Sequence, residues 1–513
     1  MEDSRTQNTL RNIYAGLLNQ FVSIVLPFIN RTIILWTLGA EFTGLSGLFT
    51  SILGVLGVAE LGFNSAIVYS LYEPMAKHDE KQICQIVSIF RKIYNIIGTV
   101  IFILGMITMP FLKYFINGTC PNSINLYMLY FLYLLNSVVG YYMYAYKECI
   151  LIADQRKDLA QNMRTFVNII RYITQFIVLI LTKDFYAYML IAIIGTVVTN
   201  LGIQYLTTKK YPFYKKINGK MFVPKELITQ VKGLFIEKIC DTFRNSFDSL
   251  IISSFIGLTA AAIYGNYYYI YSAIYSVMLT ISGAMTASIG NSIITKSVEE
   301  NYNDLRIFSA IFAIIFGVCT VCLICLYQPF MLMWAGENLL LSTKNMILFG
   351  IYFYVINMNN IRNNYIAGNG MWWYLKKSYI MEAITNLLLN FLLAQFMGIT
   401  GVLLATIITI FVFNYLQRNR ILFKHYFNSV SYHNFLLEQF YYVIVTIVAT
   451  VVAFLVSSLI NGNTLWKFCL KGIVSIIIGS GILLLGILPL QTGRKAWRFI
   501  LYRAALHKAH KVE

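Results

Sequence analysis

Charged residues are scarce in this chain. Asp, Glu, Lys and Arg together make up 12% of its 513 residues, whereas hydrophobic residues make up 58%. Soluble domains carry roughly twice that share of charge. The composition therefore excludes an ordinary soluble domain and predicts a polytopic, all-α membrane protein.

Several motifs are missing as well. The sequence has no G-x-x-x-x-G-K-[ST] loop, so we expect no direct use of ATP. It has no zinc-finger, RNP-like or helix-turn-helix pattern, so the net charge of +18 points to membrane topology and an anionic partner, with no nucleic acid. The closely spaced Cys319, Cys322 and Cys325 lie in an apolar run without a nearby His, and we expect packing, with no metal and no cofactor.

Long apolar runs fill most of the chain. A helix needs about 20 apolar residues to cross a bilayer, and on that basis the sequence predicts about fourteen spans. They are 12–37, 43–72, 84–110, 124–150, 159–181, 186–207, 228–256, 260–290, 305–328, 343–366, 375–396, 398–417, 439–460 and 466–489.

Lys and Arg cluster after the even-numbered spans and at both ends of the chain. By the positive-inside rule, this distribution predicts that both termini are cytoplasmic, in a multi-pass protein of the bacterial cell membrane. The outer loops are short, the largest being 111–123 and 329–342. A membrane glycosyltransferase or polymerase would be expected to carry acidic catalytic residues in a large outer loop, so we expect no enzyme and no catalytic residue.

An internal repeat relates the two halves. RTIILWTLGAEFTGLSGLF from Arg31 aligns with DSLIISSFIGLTAAAIYGNYY from Asp248, at a spacing of about 218 residues. The repeat predicts two six-helix lobes of the same orientation around a central cavity. The expected domains are an N-terminal lobe 1–207, a basic cytoplasmic linker 208–227, a C-terminal lobe 228–425, two extra helices 426–490 and a basic cytoplasmic tail 491–513.

Polar residues form stripes inside several spans. On span 5, Gln161, Arg164, Asn168, Arg171 and Gln175 share one helix face. Neither Arg31 nor Arg171 has an acidic residue within one helical turn, and intramembrane cations without local partners usually mark an anionic substrate path. The candidate substrate-binding residues are Asn30, Arg31, Arg164, Asn168, Arg171 and Arg244.

Acidic residues also lie in the predicted spans. Asp241 and Asp248 are spaced to pair with Arg244 on one helix, and pairing and function are equally good interpretations. Glu60 is either the counter-ion of Arg31 or a protonatable coupling group. Candidates for ion coupling are Glu60, Asp241, Asp248 and Glu382.

Two further polar sets remain. Span 10 carries Asn357, Asn360, Arg362 and Asn364, and span 11 carries Ser378, Glu382, Asn386 and Asn390. Tyrosines are dense on spans 4 and 8, for example at Tyr133 and Tyr264, where packing is the favoured interpretation and stacking on sugar rings the alternative.

The run from Pro27 to Asp79, PFINRTIILWTLGAEFTGLSGLFTSILGVLGVAELGFNSAIVYSLYEPMAKHD, resembles the start of the Wzx-type lipid-linked oligosaccharide flippases. These belong to the multidrug/oligosaccharidyl-lipid/polysaccharide (MOP) exporter superfamily. The resemblance implies two six-helix lobes, two extra C-terminal helices and a cationic cavity. It also implies translocation of an undecaprenyl-pyrophosphate-linked oligosaccharide to the outer leaflet, with membrane lipid and a polysaccharide polymerase as partners.

Three alternatives stay open. The first is a cation-coupled multidrug exporter of the same fold. The presence of acidic as well as basic residues on span 7 supports this alternative. The second is a membrane glycosyltransferase or polymerase, and the third is a scaffold for polysaccharide assembly.

Overall fold

The computed structural model describes residues 5–60, 63–118, 120–121, 123–212, 225–460, 462 and 464–509. Within these ranges every regular element is a helix. Most of the predicted linker 208–227, the last residues of the tail and the side chain of Glu60 lie outside the described part. An all-helical backbone satisfies its own hydrogen bonds, which hydrocarbon requires.

The first ten helices are α1 Arg5–Thr37, α2 Ala40–Leu56, α3 Phe63–Ala76, α4 Glu80–Thr108, α5 Leu126–Tyr142, α6 Glu148–Ala153, α7 Lys157–Thr182, α8 Phe185–Lys210, α9 Lys225–Phe255 and α10 Leu258–Gly283. The others are α11 Thr286–Thr295, α12 Val298–Ala335, α13 Thr343–Asn357, α14 Asn360–Gly368, α15 Trp372–Met397, α16 Ile399–Thr409, α17 Asn419–His425, α18 Tyr432–Ser458, α19 Leu465–Ile487 and α20 Gln491–Ala509. A π-helix, Ile410–Arg418, joins α16 to α17, and short 3-10 turns occupy Gly57–Glu60, Met109–Phe115, Ala145–Lys147 and Glu337–Leu339.

The helices form two compact units, Met1–Gly265 and Asn266–Glu513, with the division inside α10. We call them unit 1 and unit 2. In unit 1, α1 packs along α7, α7 along α8, and α2 along α9. In unit 2, α12 packs against α13, α18 and α19, and α15 lies along α16. The domain boundaries expected from the sequence stay a prediction.

Ten helices in the described part are long and apolar enough to cross a membrane, or eleven if the bent pair of α5 with 145–153 is counted as one span. The multi-pass membrane fold is thus confirmed, whereas the count of fourteen is not. Each of the fourteen predicted segments is helical, but the second and tenth are broken into shorter helices, and the seventh, α9, carries too many charged residues.

The break in predicted span 4 has recognisable backbone and hydrogen-bonding features. The helix of span 4 ends at Tyr142, and the chain bends by 44° before α6 begins. Tyr144 in this bend has a left-handed φ of 58°, which is costly for a residue with a Cβ. Lys147, also in the bend, is buried and its Nζ donates to Thr208 Oγ1 at 3.2 Å. A bend of this kind is tolerated at membrane depth only where protein surrounds it.

Left-handed backbone positions recur along the chain. Gly39 and Gly257, with φ of 101° and 127°, lie about 218 residues apart, as do Gly118 and Gly336 with φ of 96° and 84°. Gln155 and Gly370, and likewise Lys183 and Gly398, are separated by about 215 residues. Each pair lies at the junction of corresponding predicted spans. These backbone positions agree with the parallel repeat found in the sequence.

Apolar side chains cover the outside of the helices. Leu181, Phe396 and Leu485 are 76%, 82% and 78% exposed, and many similar residues lie along α7, α15 and α19. A soluble surface would not carry apolar residues over so much of its area. These faces are suited to contact lipid.

Ion pairs join separate helices inside the units. Arg418 of the π-helix pairs with Glu382 of α15, and the two side chains are 5% and 2% exposed. Arg306 of α12 binds Glu438 of α18 at 2.7 Å. Arg164 of α7 pairs with Glu148 of α6. For the pair of Arg418 and Glu382, which is buried at both ends, the ion pair removes the large cost of an isolated charge.

The close approach of α2 to the start of α10 supplies a stability test. A Cβ at Gly44 would lie 2.3 Å from the carbonyl oxygen of Leu258, whereas one at Gly47 would meet nothing within 4 Å. We expect Gly44→Ala to lower the free energy of unfolding by about 1–3 kcal/mol because the backbone must shift. Gly47→Ala on the same helix is expected to leave it unchanged or raise it by about 0.5–1 kcal/mol. Thermal unfolding in detergent measures both, and equal melting temperatures would contradict the predicted contact.

The buried pair of Glu382 and Arg418 gives a second test. Glu382→Gln leaves a buried guanidinium without its counter-ion, and we expect a loss of about 3–5 kcal/mol. The control is Glu73→Gln, which breaks the exposed pair with Lys77 and should have no measurable effect. Thermal unfolding of purified protein checks both, and two similar melting temperatures would disprove the expected difference.

Candidate functional site

A group of polar side chains from five helices lies inside unit 1. It comprises Asn30 and Arg31 of α1, Ser46 of α2, Tyr133 of α5, Arg171, Tyr172 and Gln175 of α7, and Tyr188 of α8. We call it the α1/α7 cluster.

Hydrogen bonds fix the centre of this cluster. The Nδ2 of buried Asn30 donates to the Tyr188 hydroxyl, and Gln175 Nε2 donates to the Tyr188 backbone carbonyl at 3.1 Å. Tyr133 donates its hydroxyl hydrogen to Ser46 Oγ at 2.8 Å. Tyr188 and Tyr133 lie within electrostatic range of one another, and Tyr188 also of Arg171. Two of the predicted substrate-binding residues, Asn30 and Arg171, thus meet around one tyrosine.

Arg31 is held at the edge of the same cluster. It is half-buried, and its Nη2 donates to the Ala262 carbonyl of α10 at 3.4 Å. A Cβ at Gly265 would lie only 2.8 Å from this nitrogen, so glycine makes room for the guanidinium. Tyr133 lies within the electrostatic influence of Arg31.

Arg171 is the best-defined cation of the cluster. Its guanidinium carbon lies 4.5 Å from the ring centroid of Tyr172, a cation–π distance. A Cβ at Gly195 of α8 would lie 2.5 Å from Arg171 Cδ, so the stem lies tightly against that helix. Its Nε is buried without a hydrogen-bond partner, and no carboxylate in the described part of the chain pairs with it. A positioned guanidinium with an unused donor is suited to a phosphate oxygen.

The other span 5 candidates differ. Arg164 pairs with Glu148, so its charge is already compensated. Asn168 is half-buried. The stripe predicted on this helix is therefore not uniform, since Arg164 is paired with a carboxylate whereas Arg171 has a buried donor without a hydrogen-bond partner.

The charged residues of α9 form a second group in unit 1. Arg244 is buried and binds Asp241 at 3.0 Å, as the spacing predicted. Asp248 is buried and accepts a hydrogen bond from the Tyr264 hydroxyl at 2.9 Å. Ala262, which accepts from Arg31, is only two residues before Tyr264 on α10. Asp248 and Arg31 therefore contact the same turn of α10.

Glu382, the coupling candidate of unit 2, lies apart from these groups in the chain and within a different network. It pairs with Arg418, which lies 4.0 Å over the ring of Tyr379. One turn further along α15, Asn386 Nδ2 donates to Thr406 and Thr409 at 3.2 Å. Glu60 cannot be compared, since its side chain lies outside the described residues.

Sequence reasoning missed Tyr188 and underrated Tyr133. Tyr188 stands in an aromatic and apolar run, FYAYML, without any periodic polar pattern, so nothing in the sequence singled it out. Only the packing of α7 against both α1 and α8 brings its hydroxyl to Asn30.

The cluster offers guanidinium, amide and hydroxyl donors, which together are suited to an anionic, hydroxylated ligand. Among the described residues no group of three His, Cys, Asp or Glu side chains could hold a metal ion. The cluster itself contains no His or Cys that could serve as a base or a nucleophile.

Comparisons with known proteins agree with this chemistry. The family model described as "Polysaccharide biosynthesis protein" matches residues 9–289, more than half of the chain. A search of curated proteins gives no match.

Solved structures share the fold. A multidrug resistance MATE family transporter of the MOP superfamily, in its inward-facing conformation, is similar with a TM-score of 0.61 and 15% identity, over 77% of this chain and 94% of that one. The lipid II flippase MurJ, in an inward closed conformation, has a TM-score of 0.61 and 16% identity, over 93% of this chain and 98% of that one. A point mutant of the Vibrio cholerae MATE transporter VcmN has a TM-score of 0.56 and 14% identity, over 82% of this chain and 97% of that one.

At sequence identities of 14–16% the solved structures show only that the fold is shared. The assignment of the chain to a family rests on the family model. The solved structures that share the fold are transporters, in agreement with the expectation that the chain is not an enzyme. The resemblance to the Wzx-type flippases is confirmed at the level of family and superfamily. The chain belongs to the polysaccharide biosynthesis protein family and has the fold of the MOP-superfamily transporters.

Proposed function

We propose that this protein translocates an undecaprenyl-pyrophosphate-linked oligosaccharide from the inner to the outer leaflet of the bacterial cytoplasmic membrane by alternating access. The observation that carries the proposal is Arg171, whose guanidinium is fixed on Tyr172 while its buried Nε has no hydrogen-bond partner. A lipid-linked pyrophosphate would supply the missing acceptor. The match to the polysaccharide biosynthesis family supports the oligosaccharide part.

In this proposal Arg31 and Arg171 bind the pyrophosphate. Arg244 contributes less, because its guanidinium already binds Asp241. Asn30, Asn168 and Tyr188 provide amide and hydroxyl groups for the sugars. Arg164 is expected to matter least, since it is paired with Glu148. The polyprenyl chain stays in the lipid, and both chain termini are cytoplasmic.

Ion coupling, if the transport uses it, is proposed to run through Asp241 or Asp248. Both belong to the unit that holds the α1/α7 cluster, and Asp248 shares a turn of α10 with Arg31. Glu382 is the weaker candidate because its carboxylate is 2% exposed and already paired with Arg418. Glu60 remains a candidate on sequence grounds.

A cation-coupled multidrug exporter is the second candidate, favoured by the likeness of the fold to MATE transporters. Such an exporter needs an acidic site for a cationic substrate. Here Asp241, Asp248 and Glu382 each bind a donor, and two of the three donors are arginines. This arrangement favours an anionic substrate.

We expect Arg31→Ala and Arg171→Ala each to lower the rate of leaflet transfer at least about tenfold, because each removes a charged hydrogen bond to phosphate. The assay reconstitutes the purified protein in liposomes and follows a fluorescent undecaprenyl-pyrophosphate oligosaccharide. Arg171→Lys should recover only part of the rate, since an ammonium cannot reproduce the guanidinium fork.

Arg164→Ala is the matched control on the same helix, and we expect it to change the rate less than about threefold once folding is verified by thermal unfolding. Equal losses of transfer rate in Arg164→Ala and Arg171→Ala would contradict the proposal that the α1/α7 cluster binds the substrate. Transport of a cationic dye in place of the oligosaccharide would favour the drug exporter. Intact polymer export in cells carrying both alanine substitutions would favour a scaffold.

A further inference from the structure

Unit 2 contains a long groove beside α18 that the transport proposal does not use. Its cavity has a volume of about 690 Å³ and is lined by α12, α13, the π-helix and α18. Most of the lining side chains are aliphatic or aromatic, among them Ile324, Ile347, Phe411, Phe440, Val451 and Leu455.

The few threonine hydroxyl groups in the groove are already satisfied. Thr320, Thr446 and Thr450 each donate to a backbone carbonyl of the preceding turn of their own helix, at 2.8, 2.8 and 2.7 Å. A largely apolar space whose threonine hydroxyl groups are satisfied in this way is suited to hydrocarbon.

The groove is open along its side. Phe440, Ile447 and Leu455 line it and are 63%, 56% and 61% exposed. Because this face of the helices carries apolar residues throughout, a chain can enter from the hydrocarbon of the bilayer without passing water.

A smaller polar cavity of about 280 Å³ adjoins the groove and shares Ile324 and Phe454 with it. Gln328, Thr343, Ser457, Ser458 and Lys471 contribute its polar side chains. It lies where α12 approaches its end, α13 begins and α18 ends. The start of α13 brings the partial positive charge of a helix N-terminus to the same place.

Lys471 of α19 gives this cavity its charge. The residue is half-buried, and no carboxylate in the described part of unit 2 pairs with it. Of the described side chains that line the two cavities, none is acidic. A cation near the end of a span without a counter-ion is costly unless an external anion compensates it.

We propose that the groove and the adjoining cavity bind one anionic phospholipid, with its phosphate at Lys471 and an acyl chain along α18. The proposal is independent of the transported substrate. Its basis is the continuity of an apolar groove with a polar cavity whose one charged lining residue, among those the structure describes, is a lysine. A zwitterionic lipid would place its own cation beside Lys471 and is expected to bind more weakly.

Lipid binding by the purified full-length protein tests this. Native mass spectrometry in detergent, with phosphatidylglycerol and phosphatidylcholine of the same acyl chains, counts the retained lipids. We expect tighter binding of phosphatidylglycerol by the wild type and about a tenfold loss of that affinity in Lys471→Gln, as for one charged hydrogen bond. Lys467→Gln, on the same helix and exposed outside both cavities, should bind as the wild type does.

A second, independent test fills the groove with a large side chain. Val451→Trp projects a large ring into the groove, whereas Val452→Trp lies beside it on the same helix and outside the lining. We expect the first variant to lose the bound phosphatidylglycerol and the second to keep it, both with wild-type transfer of the oligosaccharide. Equal retention of the two lipids, equal affinities of Lys471→Gln and Lys467→Gln, or displacement by undecaprenyl phosphate at equal concentration would overturn the proposal.

Discussion

The high cost of a guanidinium in hydrocarbon is the constraint on which most of this structure depends. The chain meets it in several ways. Arg418 has a carboxylate partner in Glu382, and Arg244 has one in Asp241 on its own helix. Arg171 lies on the ring of Tyr172, and Arg362, only 1% exposed, lies 4.4 Å over the ring of Tyr415. Where the compensation comes from another helix, as for Arg418, the arginine holds helices together. Where it is incomplete, a ligand has a place to bind.

Each unit provides an example of one of these arrangements. In unit 2, the pair of Glu382 and Arg418 and the amide of Asn386 with its threonines are internal bonds that tie α15 to the following span. In unit 1, the α1/α7 cluster contains donors from α1, α7 and α8 around Tyr188, including the unused Nε of Arg171. The first arrangement is suited to rigidity and the second to recognition of an anion.

Much of the fold could be predicted from the sequence, because hydrophobic runs, basic loops and the repeat each reflect a strong physical constraint. The all-helical membrane architecture follows from the hydrophobic runs, whereas the superfamily was expected from the resemblance of residues 27–79 to the Wzx-type flippases. The number of complete spans could not be predicted in this way, since the breaks at Gly57–Glu60 and after Tyr142 depend on packing and not on hydropathy.

The site was predicted less completely. Helical periodicity found Asn30 and Arg171, and the spacing of Asp241 and Arg244 correctly predicted their pair. Periodicity within one helix cannot show which helix lies opposite, so it missed Tyr188 and grouped Arg164 with Arg171 although Glu148 already binds the former. Contacts between distant segments are set by packing, and a single sequence carries little information on them.

The recurring left-handed positions have a consequence for the ancestry of the chain. At two of the four pairs both members are glycine, but Gln155 and Lys183, with φ of 57° and 53°, correspond to Gly370 and Gly398 in the second half. A side chain in this conformation costs about 1–2 kcal/mol that glycine avoids. If one six-helix gene was duplicated, the positive φ at these positions was inherited more faithfully than the residues that make a positive φ easy to adopt. At these two positions the first half of the protein therefore retains a torsional strain that its second half does not have.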